Sequence, residues 1–291
     1  MAKSKYGKYI VTDLITQMSA ESKAKYAQFA TRVLWMDDKV IPGAFQMNVS
    51  WYLRPPAASM GNGHNHDVPE IIGFFSSDPK NPYDLGAEIE FWLEDEKFIL
   101  TKSCMIFVPP NMKHCPLILR RVDRPVFHFT TVTGPKYEIL HTENLKQQAA
   151  KHSKYIVTEL KEPEQKRIIA KEYSKYARRI LWMDEDVVPG AFHMNTSWFV
   201  KPSPALENVP HCHDNAEIIG FFGNDPEHPH DLGAEIEFQL GDEKHIINKS
   251  AMLYIPPKMM HCPFTLKRVD RPIFHFTVVD NGLYTKDEKK K

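Results

Sequence analysis

The chain has 291 residues, with 37 acidic and 37 basic side chains, so its formal net charge is zero. A balanced charge provides no basic stripe that could neutralise phosphates, which argues against nucleic-acid binding. No apolar run approaches the roughly 20 residues that span a bilayer, and the start of the chain lacks the apolar stretch of a secretory signal. We therefore expect a soluble cytoplasmic protein that does not bind membranes.

The first half of the chain begins with a helical pattern and continues as strands. A stretch from about Ser19 to Val33, rich in Ala, Lys and Glu, predicts a helix, and its counterpart runs from about Glu162 to Ile180. Apolar runs bounded by Pro, Gly and Asn then predict strands. These runs cover residues 47–53, 71–75, 87–93, 98–100, 105–108 and 126–132. Strands joined by such turns are typical of a jelly roll.

The chain contains two copies of a similar sequence. Leu-Trp-Met-Asp at residues 34–37 recurs at 181–184, and Arg-Val-Asp-Arg-Pro at 121–125 recurs at 268–272, so the offset is 147 in both cases. A period this long indicates a duplicated domain, because solenoid and propeller periods are roughly 20 to 50 residues. We predict an N-terminal domain over residues 1–147 and a C-terminal domain over 148–291, each of a common domain size.

A set of potential metal ligands recurs at the same offset. The two sets are His64, His66, Glu70 and His114, and His211, His213, Glu217 and His261. Residues two apart on a strand project from the same face, so His64 and His66 can direct both imidazoles at one point, with Glu70 an even step away. His114 follows the apolar run 105–108 and must come from another strand. Two clusters of three histidines and one carboxylate predict two metal sites.

The cysteines contain no C-x-x-C pair, which argues against a structural zinc site and for reduced thiols. Cys115 and Cys262 directly follow candidate ligands, and Cys212 lies between two of them. On a regular strand these three side chains point away from the metal. We expect them to act as small buried hydrophobic residues.

These residues resemble the cupins, and two tandem copies resemble a bicupin. The cupin pattern has His-x-His, three or four residues and Glu, and later Pro-x-Gly-x-x-His. The second motif is matched apart from its glycine by Pro109 and His114, with Asn111 at the glycine position, and by Pro256 and His261, with Lys258. The resemblance covers most of each repeat. It implies an all-β fold of two tandem cupin barrels (double-stranded β-helix, or jelly roll), each preceded by a short helical segment, with a metal near the barrel centre.

A divalent metal in each barrel also follows from the chemistry of the ligands. A buried Glu70 without a counterion is unfavourable, and a divalent cation removes that penalty while ordering the histidines. Four protein ligands on an octahedral ion leave two adjacent positions open. Mn, Fe, Ni and Co fit this arrangement, and Mn or Fe is favoured. Zn is also a candidate, because imidazole and carboxylate ligands suit it too.

Four further residues are candidates for catalysis. His128 and His275 alternate toward one face of a predicted strand and could be proton shuttles above the metal, or hydrogen-bonded histidines of the core. Glu90 and Glu237 could act in a polar barrel interior. They lie opposite the apolar residues of their strands, however, which is also typical of a solvated strand face.

A metal with two open adjacent positions favours substrates that chelate through two oxygens, such as 1,3-diketones, enediols, oxalate or catechol-like rings. We therefore hypothesise a metal-dependent C–C bond hydrolase or lyase that cleaves or rearranges a small enolisable substrate, for example a cyclic 1,3-diketone. An Fe-dependent ring- or diketone-cleaving dioxygenase and a non-catalytic metal and small-ligand binding protein are the alternatives. Exposed strand edges also make a homo-oligomer the expected assembly.

Overall fold

The computed structural model describes residues 4–15, 18–57, 60–134, 141–143, 151–161, 173–204, 209–281 and 287–288. The chain divides into two compact units. We call residues 14–40 and 45–159 the N-terminal barrel, and residues 1–13, 41–44 and 160–291 the C-terminal barrel. Among the described residues, no helix is long and apolar enough to cross a membrane.

The described residues form mainly strands. In chain order these are β1 (Ile10–Val11), β2 (Ala30–Met36), β3 (Gln46–Tyr52), β4 (Gly63–Asn65), β5 (Glu70–Ser76), β6 (Asp84–Leu93), β7 (Glu96–Lys102), β8 (Cys104–Val108), β9 (His114–Val122), β10 (Val126–Val132), β11 (His141–Glu143), β12 (Ile156–Val157), β13 (Ala177–Met183), β14 (His193–Phe199), β15 (His211–Cys212), β16 (Glu217–Gly223), β17 (Asp231–Leu240), β18 (Glu243–Lys249), β19 (Ala251–Ile255), β20 (His261–Val269), β21 (Ile273–Val279) and β22 (Asp287–Glu288). The α-helix α1 covers Ala20–Ala27, and Gly7–Tyr9 and Ser153–Tyr155 form single 3-10 turns.

Each barrel consists of two antiparallel sheets. In the N-terminal barrel the strand orders are β12-β8-β5-β10-β3-β2 and β11-β4-β9-β6-β7. In the C-terminal barrel they are β1-β19-β16-β21-β14-β13 and β18-β17-β20-β15-β22. Successive side chains of a strand point to opposite faces, so alternate residues of β6, from Leu85 to Leu93, pack with Ile72 and Phe74 of β5 in the core. The predicted all-β jelly-roll architecture is confirmed.

The helix α1 is shorter than the sequence predicts. Ser19 caps it, because the hydroxyl oxygen of Ser19 accepts a hydrogen bond from the backbone N–H of Ser22 at 3.1 Å. The predicted extension to Val33 is wrong, since the chain from Ala30 onward is β2 and pairs with β3. Sheet pairing thus overrides the helical propensity of this segment. In the second repeat, residues 162–172 lie outside the described residues, and the predicted helix overruns the start of β13.

A short strand forms one edge of each six-stranded sheet. Ile10 of β1 lies opposite Leu253 of β19, and Ile156 of β12 lies opposite Ile106 of β8. Residues 9–11 and 155–157 have the same Tyr-Ile-Val sequence, so the first segment of each repeat completes a sheet of the other repeat. The domain boundary between residues 147 and 148 stays a prediction. The compact unit that holds most of the first repeat also includes Ile156–Val157, and the other unit includes Ile10–Val11.

Candidate metal centres

Strand pairing brings the N-terminal ligand set together. His64 lies on β4, Glu70 begins β5 and His114 begins β9, while His66 lies in the connection between β4 and β5. His64 is directly opposite His114 in the β4–β9 pair. All four side chains are buried. The pairing of β4 with β9 therefore brings His114 next to the other three residues, although it is far from them in sequence.

The four side chains converge inside the barrel. Oε2 of Glu70 lies 3.1 Å from Nε2 of His66 and 3.2 Å from Nε2 of His114. The ring centroids of His64 and His114 are 4.3 Å apart, and those of His64 and His66 are 6.3 Å apart. The ligand atoms of His66, Glu70 and His114 all lie within 4.8 Å of one another. The spacing of these three atoms is compatible with one shared ion, whose bonds to nitrogen and oxygen are about 2.1 Å long. His64 belongs to a second group of potential ligands, together with His114 and Cys115.

Backbone carbonyls fix the orientation of the three imidazoles. In His64, His66 and His114, Nδ1 donates a hydrogen bond to a carbonyl oxygen two residues away, at 3.0, 2.6 and 3.1 Å respectively. The carbonyls belong to Asn62, Val68 and Met112. With the proton held on Nδ1, the lone pair of Nε2 is left for a metal, which is the usual arrangement of metal-binding histidines.

The electrostatics of this cluster fit a divalent cation. Burial by itself raises the pKa of Glu70, but hydrogen bonds with His114 and His66 outweigh it and bring the pKa to about 2. Burial lowers the pKa of His64. In His66 the lowering by burial is outweighed by the hydrogen bond with Glu70, so the pKa is raised. The ionised carboxylate must be balanced by protons on the facing Nε2 atoms or by one metal ion.

The C-terminal barrel repeats this cluster in a tighter form. Oε2 of Glu217 lies 3.2 Å from Nε2 of His213 and 3.0 Å from Nε2 of His261. The ring centroids of His211, His213 and His261 are 4.4 to 5.0 Å apart in pairs. Burial raises the pKa of Glu217, but hydrogen bonds with His213 and His261 lower it more, so the net direction is downward. The residues predicted from the repeat thus gather in both barrels.

The turn before the last histidine keeps its shape without the glycine of the cupin pattern. Asn111 and Lys258 occupy that position with φ values of 64° and 65°. This left-handed region is uncommon for residues other than glycine, although asparagine tolerates it. The N–H of Asn111 donates to the carbonyl oxygen of His66, and that of Lys258 to the carbonyl oxygen of His213, both at 2.7 Å. The turn therefore fixes the backbone of one candidate ligand in each barrel, His66 in the N-terminal barrel and His213 in the C-terminal barrel.

The prediction that Cys115 and Cys262 point away from the metal ligands is wrong. Their φ values of 66° and 63° lie in the left-handed region and interrupt the alternation of an extended strand. The sulfur of Cys115 and one ring nitrogen each of His64 and His114 lie within 4.8 Å of one another. The equivalent atoms of the C-terminal barrel have the same arrangement. Burial raises the pKa of the Cys115 thiol.

A cavity of about 150 Å³ lies beside the N-terminal ligand set. Its polar lining residues are Glu70, His114, Cys115, His128 and Thr130, and its apolar and aromatic lining residues are Tyr52, Met60, Ile72, Phe74, Phe91 and Leu117. Among the described residues, no lysine or arginine contributes to the lining. The cavity therefore combines two metal-ligand candidates with largely apolar walls.

His128, one of the predicted proton shuttles, lines this cavity. Its ring is stacked between Tyr52 and Phe74, with centroid distances of 4.4 and 4.9 Å, and Nδ1 donates to the carbonyl oxygen of Gly73 at 2.9 Å. Burial lowers the pKa of His128 to about 3. A neutral imidazole held in this way is a hydrogen-bond acceptor at Nε2 and a weak base, because an efficient general base has a pKa near the working pH. His275 makes the same carbonyl hydrogen bond at 3.0 Å.

The structure does not bring Glu90 and Glu237 to the two clusters. Their neighbours in sequence pack in the core, so the two carboxylates point to the opposite strand face. Glu90 accepts a hydrogen bond from Nε1 of Trp92 at 2.7 Å and pairs with Arg120. Glu237 pairs with two lysines at 2.8 and 2.7 Å. Both are ion-paired residues of a strand face, and no catalytic role is carried forward for them.

The sequence interpretation missed Thr130, which lines the cavity. Nδ2 of Asn48 donates a hydrogen bond to Oγ1 of Thr130 at 2.5 Å. Thr130 and His128 are two residues apart on β10 and therefore share a face. That alternation is the signal that could have identified Thr130, since His128 already marked the inner face of the strand.

Comparisons with known proteins support the fold. No protein-family model and no curated protein matches the chain. A structure of oxalate decarboxylase, studied for its substrate binding mode and reaction specificity, matches with a TM-score of 0.57 at 9% identity, over 90% of this chain and 75% of that chain. Bacillus subtilis oxalate decarboxylase, studied for its Mn(II) centres, matches with a TM-score of 0.55 at 9% identity over the same shares.

AerE from Microcystis aeruginosa is also similar, with a TM-score of 0.53 at 11% identity, over 94% of this chain and 98% of that chain. At such identities the likeness shows the fold alone. This chain has the fold of a tandem two-domain cupin, which confirms the resemblance seen in the sequence.

Proposed function

We propose that this chain is a metal-dependent bicupin enzyme that cleaves a C–C bond in a small, enolisable cyclic 1,3-diketone, with one divalent metal ion in each barrel. The observation that carries the proposal is the cavity of the N-terminal barrel, which places apolar walls against Glu70 and His114. Substrate is expected to enter this cavity and chelate the metal through two oxygens. The Mn(II) centres named for Bacillus subtilis oxalate decarboxylase make manganese a reasonable first metal to test.

The cavity volume limits the size of the substrate. An apolar protein cavity of about 150 Å³ accommodates a molecule of the size of benzene, and the cavity here is about 150 Å³. A six-membered ring with two ring oxygen substituents reaching the ligand set is close to this limit. A long chain, a sugar or a nucleotide would have to extend beyond the cavity.

The lining disfavours a highly charged substrate. Most of the wall is formed by apolar and aromatic side chains, those of Tyr52, Ile72, Phe74, Phe91 and Leu117. Among the described residues, no lysine or arginine lines it. With Glu70 ionised, a bound divalent ion would leave one net positive charge, which a monoanionic enolate would neutralise. A dianion such as oxalate would leave an excess negative charge, with no cationic side chain in the described lining to balance it. A neutral diketone or its monoanionic enolate has apolar ring atoms that match the wall and oxygen atoms that match the ligand end.

The polar residues of the cavity have distinct roles in this proposal. When bound, a divalent metal polarises two chelated oxygens and stabilises negative charge on them. Nε2 of His128 accepts a hydrogen bond from the attacking water, because Nδ1 is committed to the carbonyl of Gly73. Oγ1 of Thr130 accepts from Asn48, which leaves the hydroxyl proton of Thr130 to donate to a substrate oxygen.

The reaction consumes one water and needs no oxidant. The oxygen of water bonds to one carbonyl carbon, and the bond from that carbon to the central carbon of the diketone breaks. The electron pair passes to the central carbon as the enolate of the second carbonyl, and a proton from the water ends on that carbon. The product is an open-chain oxo acid that contains all atoms of the diketone and the water.

The proposal is tested by measuring metal content and turnover of small cyclic 1,3-diketones by the purified full chain, with and without oxygen. We expect an oxo-acid product at equal rates in air and under anoxia, with turnover lost in Glu70→Gln and retained in the outward-facing control Glu90→Gln. Turnover that requires oxygen would identify a dioxygenase instead. Saturable binding without product would identify a binding protein, and turnover of oxalate in preference to diketones would refute the proposed substrate class.

A further inference from the structure

The lining of the N-terminal cavity is largely repeated in the C-terminal barrel. At the offset of 147, eight of the eleven lining residues recur as the same residue type. The three that differ are Tyr52, Met60 and Leu117, which correspond to Phe199, Glu207 and Phe264. Glu207 lies outside the described residues. The change from Tyr52 to Phe199 only removes a hydroxyl group, whereas the change from Leu117 to Phe264 introduces an aromatic ring.

The ring of Phe264 is buried among other aromatic rings of its barrel. Four of these rings have their centroids 5.6 to 6.2 Å from that of Phe264, and they belong to Phe199, Phe221, Phe238 and His275. Such distances are typical of aromatic rings in contact. The equivalent four residues of the N-terminal barrel are Tyr52, Phe74, Phe91 and His128, and all of them line the cavity. Phe264 therefore lies against the same side chains that border the substrate cavity in the other barrel.

The size of the added ring matches the space at issue. A phenyl group is about as large as benzene, which an apolar cavity of about 150 Å³ accommodates. The cavity of the N-terminal barrel has about this volume. The branched side chain of Leu117 ends closer to the backbone and leaves room for a ring, whereas Phe264 fills that room with its own ring.

A second difference concerns the threonine that lines the cavity. In the N-terminal barrel, Nδ2 of Asn48 donates a hydrogen bond to Oγ1 of Thr130 at 2.5 Å. In the C-terminal barrel, Nδ2 of the equivalent Asn195 donates to Nε2 of His193 at 3.1 Å. His193 corresponds to Gln46 at the offset of 147. The amide that orients the threonine hydroxyl in one barrel is thus engaged by a histidine in the other.

We propose that only the N-terminal barrel admits a ring substrate, and that Phe264 excludes it from the C-terminal barrel. This inference rests on the proposed function and assigns that function to one of the two metal sites. The metal of the C-terminal barrel then neutralises Glu217 and orders its histidines without taking part in turnover. The residue pair Leu117 and Phe264 determines which barrel is the catalytic one.

The test measures how many molecules of a ring-shaped chelator bind to the full chain loaded with Mn(II). The probe is 2-hydroxypyridine N-oxide, a six-membered ring with two adjacent oxygen substituents that offers no diketone bond for hydrolysis. Calorimetric titration gives the equivalents bound per chain, and manganese content is measured alongside. We expect one equivalent in the wild type and two in Phe264→Leu, with the same manganese content in both.

Phe222→Leu is the matched control, because it makes the same substitution at a buried residue of the same barrel. Phe222 follows Phe221 on β16, so its ring points to the opposite strand face, where it stacks on Phe276 at 5.7 Å. This variant is expected to bind one equivalent. A second equivalent in Phe222→Leu would show general loosening of the barrel and would overturn the role of Phe264, as would a single equivalent in Phe264→Leu.

A measurement on the wild type alone avoids the risk that a variant does not fold. In crystals of the Mn(II)-loaded wild type soaked with the probe, we expect the probe beside Glu70 and His114 only. Probe beside Glu217 and His261, or two equivalents in the wild-type titration, would overturn the inference while leaving the proposed enzyme intact. A manganese-loaded wild type that binds no probe would overturn the proposed substrate cavity as well, so the two failures are distinguishable.

Discussion

The ionisation of His128 gives a quantitative prediction about stability. Burial lowers the pKa of His128 to about 3 in the folded chain, whereas an imidazole in an unfolded chain has a pKa of about 6.5. Between these values the unfolded chain binds a proton that the folded chain does not. The free energy of unfolding therefore rises with pH in this window, and the contribution of His128 is present above pH 6.5 and is lost as pH falls toward 3.

The magnitude follows from the slope of about 1.4 kcal/mol per pH unit for one proton. Between about pH 7 and about pH 4.5, the neutral form of His128 should account for a loss of about 3 kcal/mol. The substitution that tests this is His128→Phe. It keeps an aromatic ring between Tyr52 and Phe74 and removes the titratable group. When the pH is lowered from about 7 to about 4.5, the free energy of unfolding of the wild type should fall by about 3 kcal/mol more than that of the variant.

The assay is urea unfolding of metal-free wild type and variant at about pH 7 and about pH 4.5, the upper value lying above the unfolded-state pKa. Comparing the two chains cancels the titration of the other histidines. Phe129→Leu serves as control, because it alters packing at a buried position of the same strand without removing a titratable group. Equal losses of stability in wild type and His128→Phe, or an NMR titration of the His128 ring near pH 6.5, would refute the reasoning.

Three further predictions concern the N-terminal site. Glu70→Gln should roughly halve the metal content of the chain, because it removes the buried anion while the C-terminal site stays intact. Elemental analysis checks this, and a similar loss in Glu90→Gln would contradict the assignment. Metal affinity should weaken as pH falls, since the pKa of His66 is raised and protons compete for Nε2 below it. Metal titrations at two pH values decide this, and equal affinities would contradict it. Leu117→Phe should reduce the volume of the cavity and raise KM for a ring substrate while metal content is unchanged, at a packing cost of roughly 1 to 3 kcal/mol. An unchanged KM would place the substrate elsewhere.

The sequence by itself identified the candidate ligand set and determined the architecture. His64 and His66 are separated by one residue, Glu70 follows at an even step, and the whole set recurs at a constant offset together with His114. Residue type and strand alternation are local properties, so they could be read without coordinates. The duplicated pattern then made two barrels the consistent architecture.

Only the tertiary structure decided which face of each strand lies inside the barrel, and where the alternation of side chains along a strand is interrupted. Propensity favoured a helix through Val33, but pairing with β3 turned that segment into a strand. Alternation predicted that Cys115 points outward, and a left-handed φ reversed it. The sequence left Glu90 open between a polar interior and a solvated face. The packing of its neighbours directs it away from the core cluster, to a face where Trp92 and Arg120 bury it. A strand sequence distinguishes two faces but does not say which one a closing barrel encloses, and turn conformations depend on contacts from other strands.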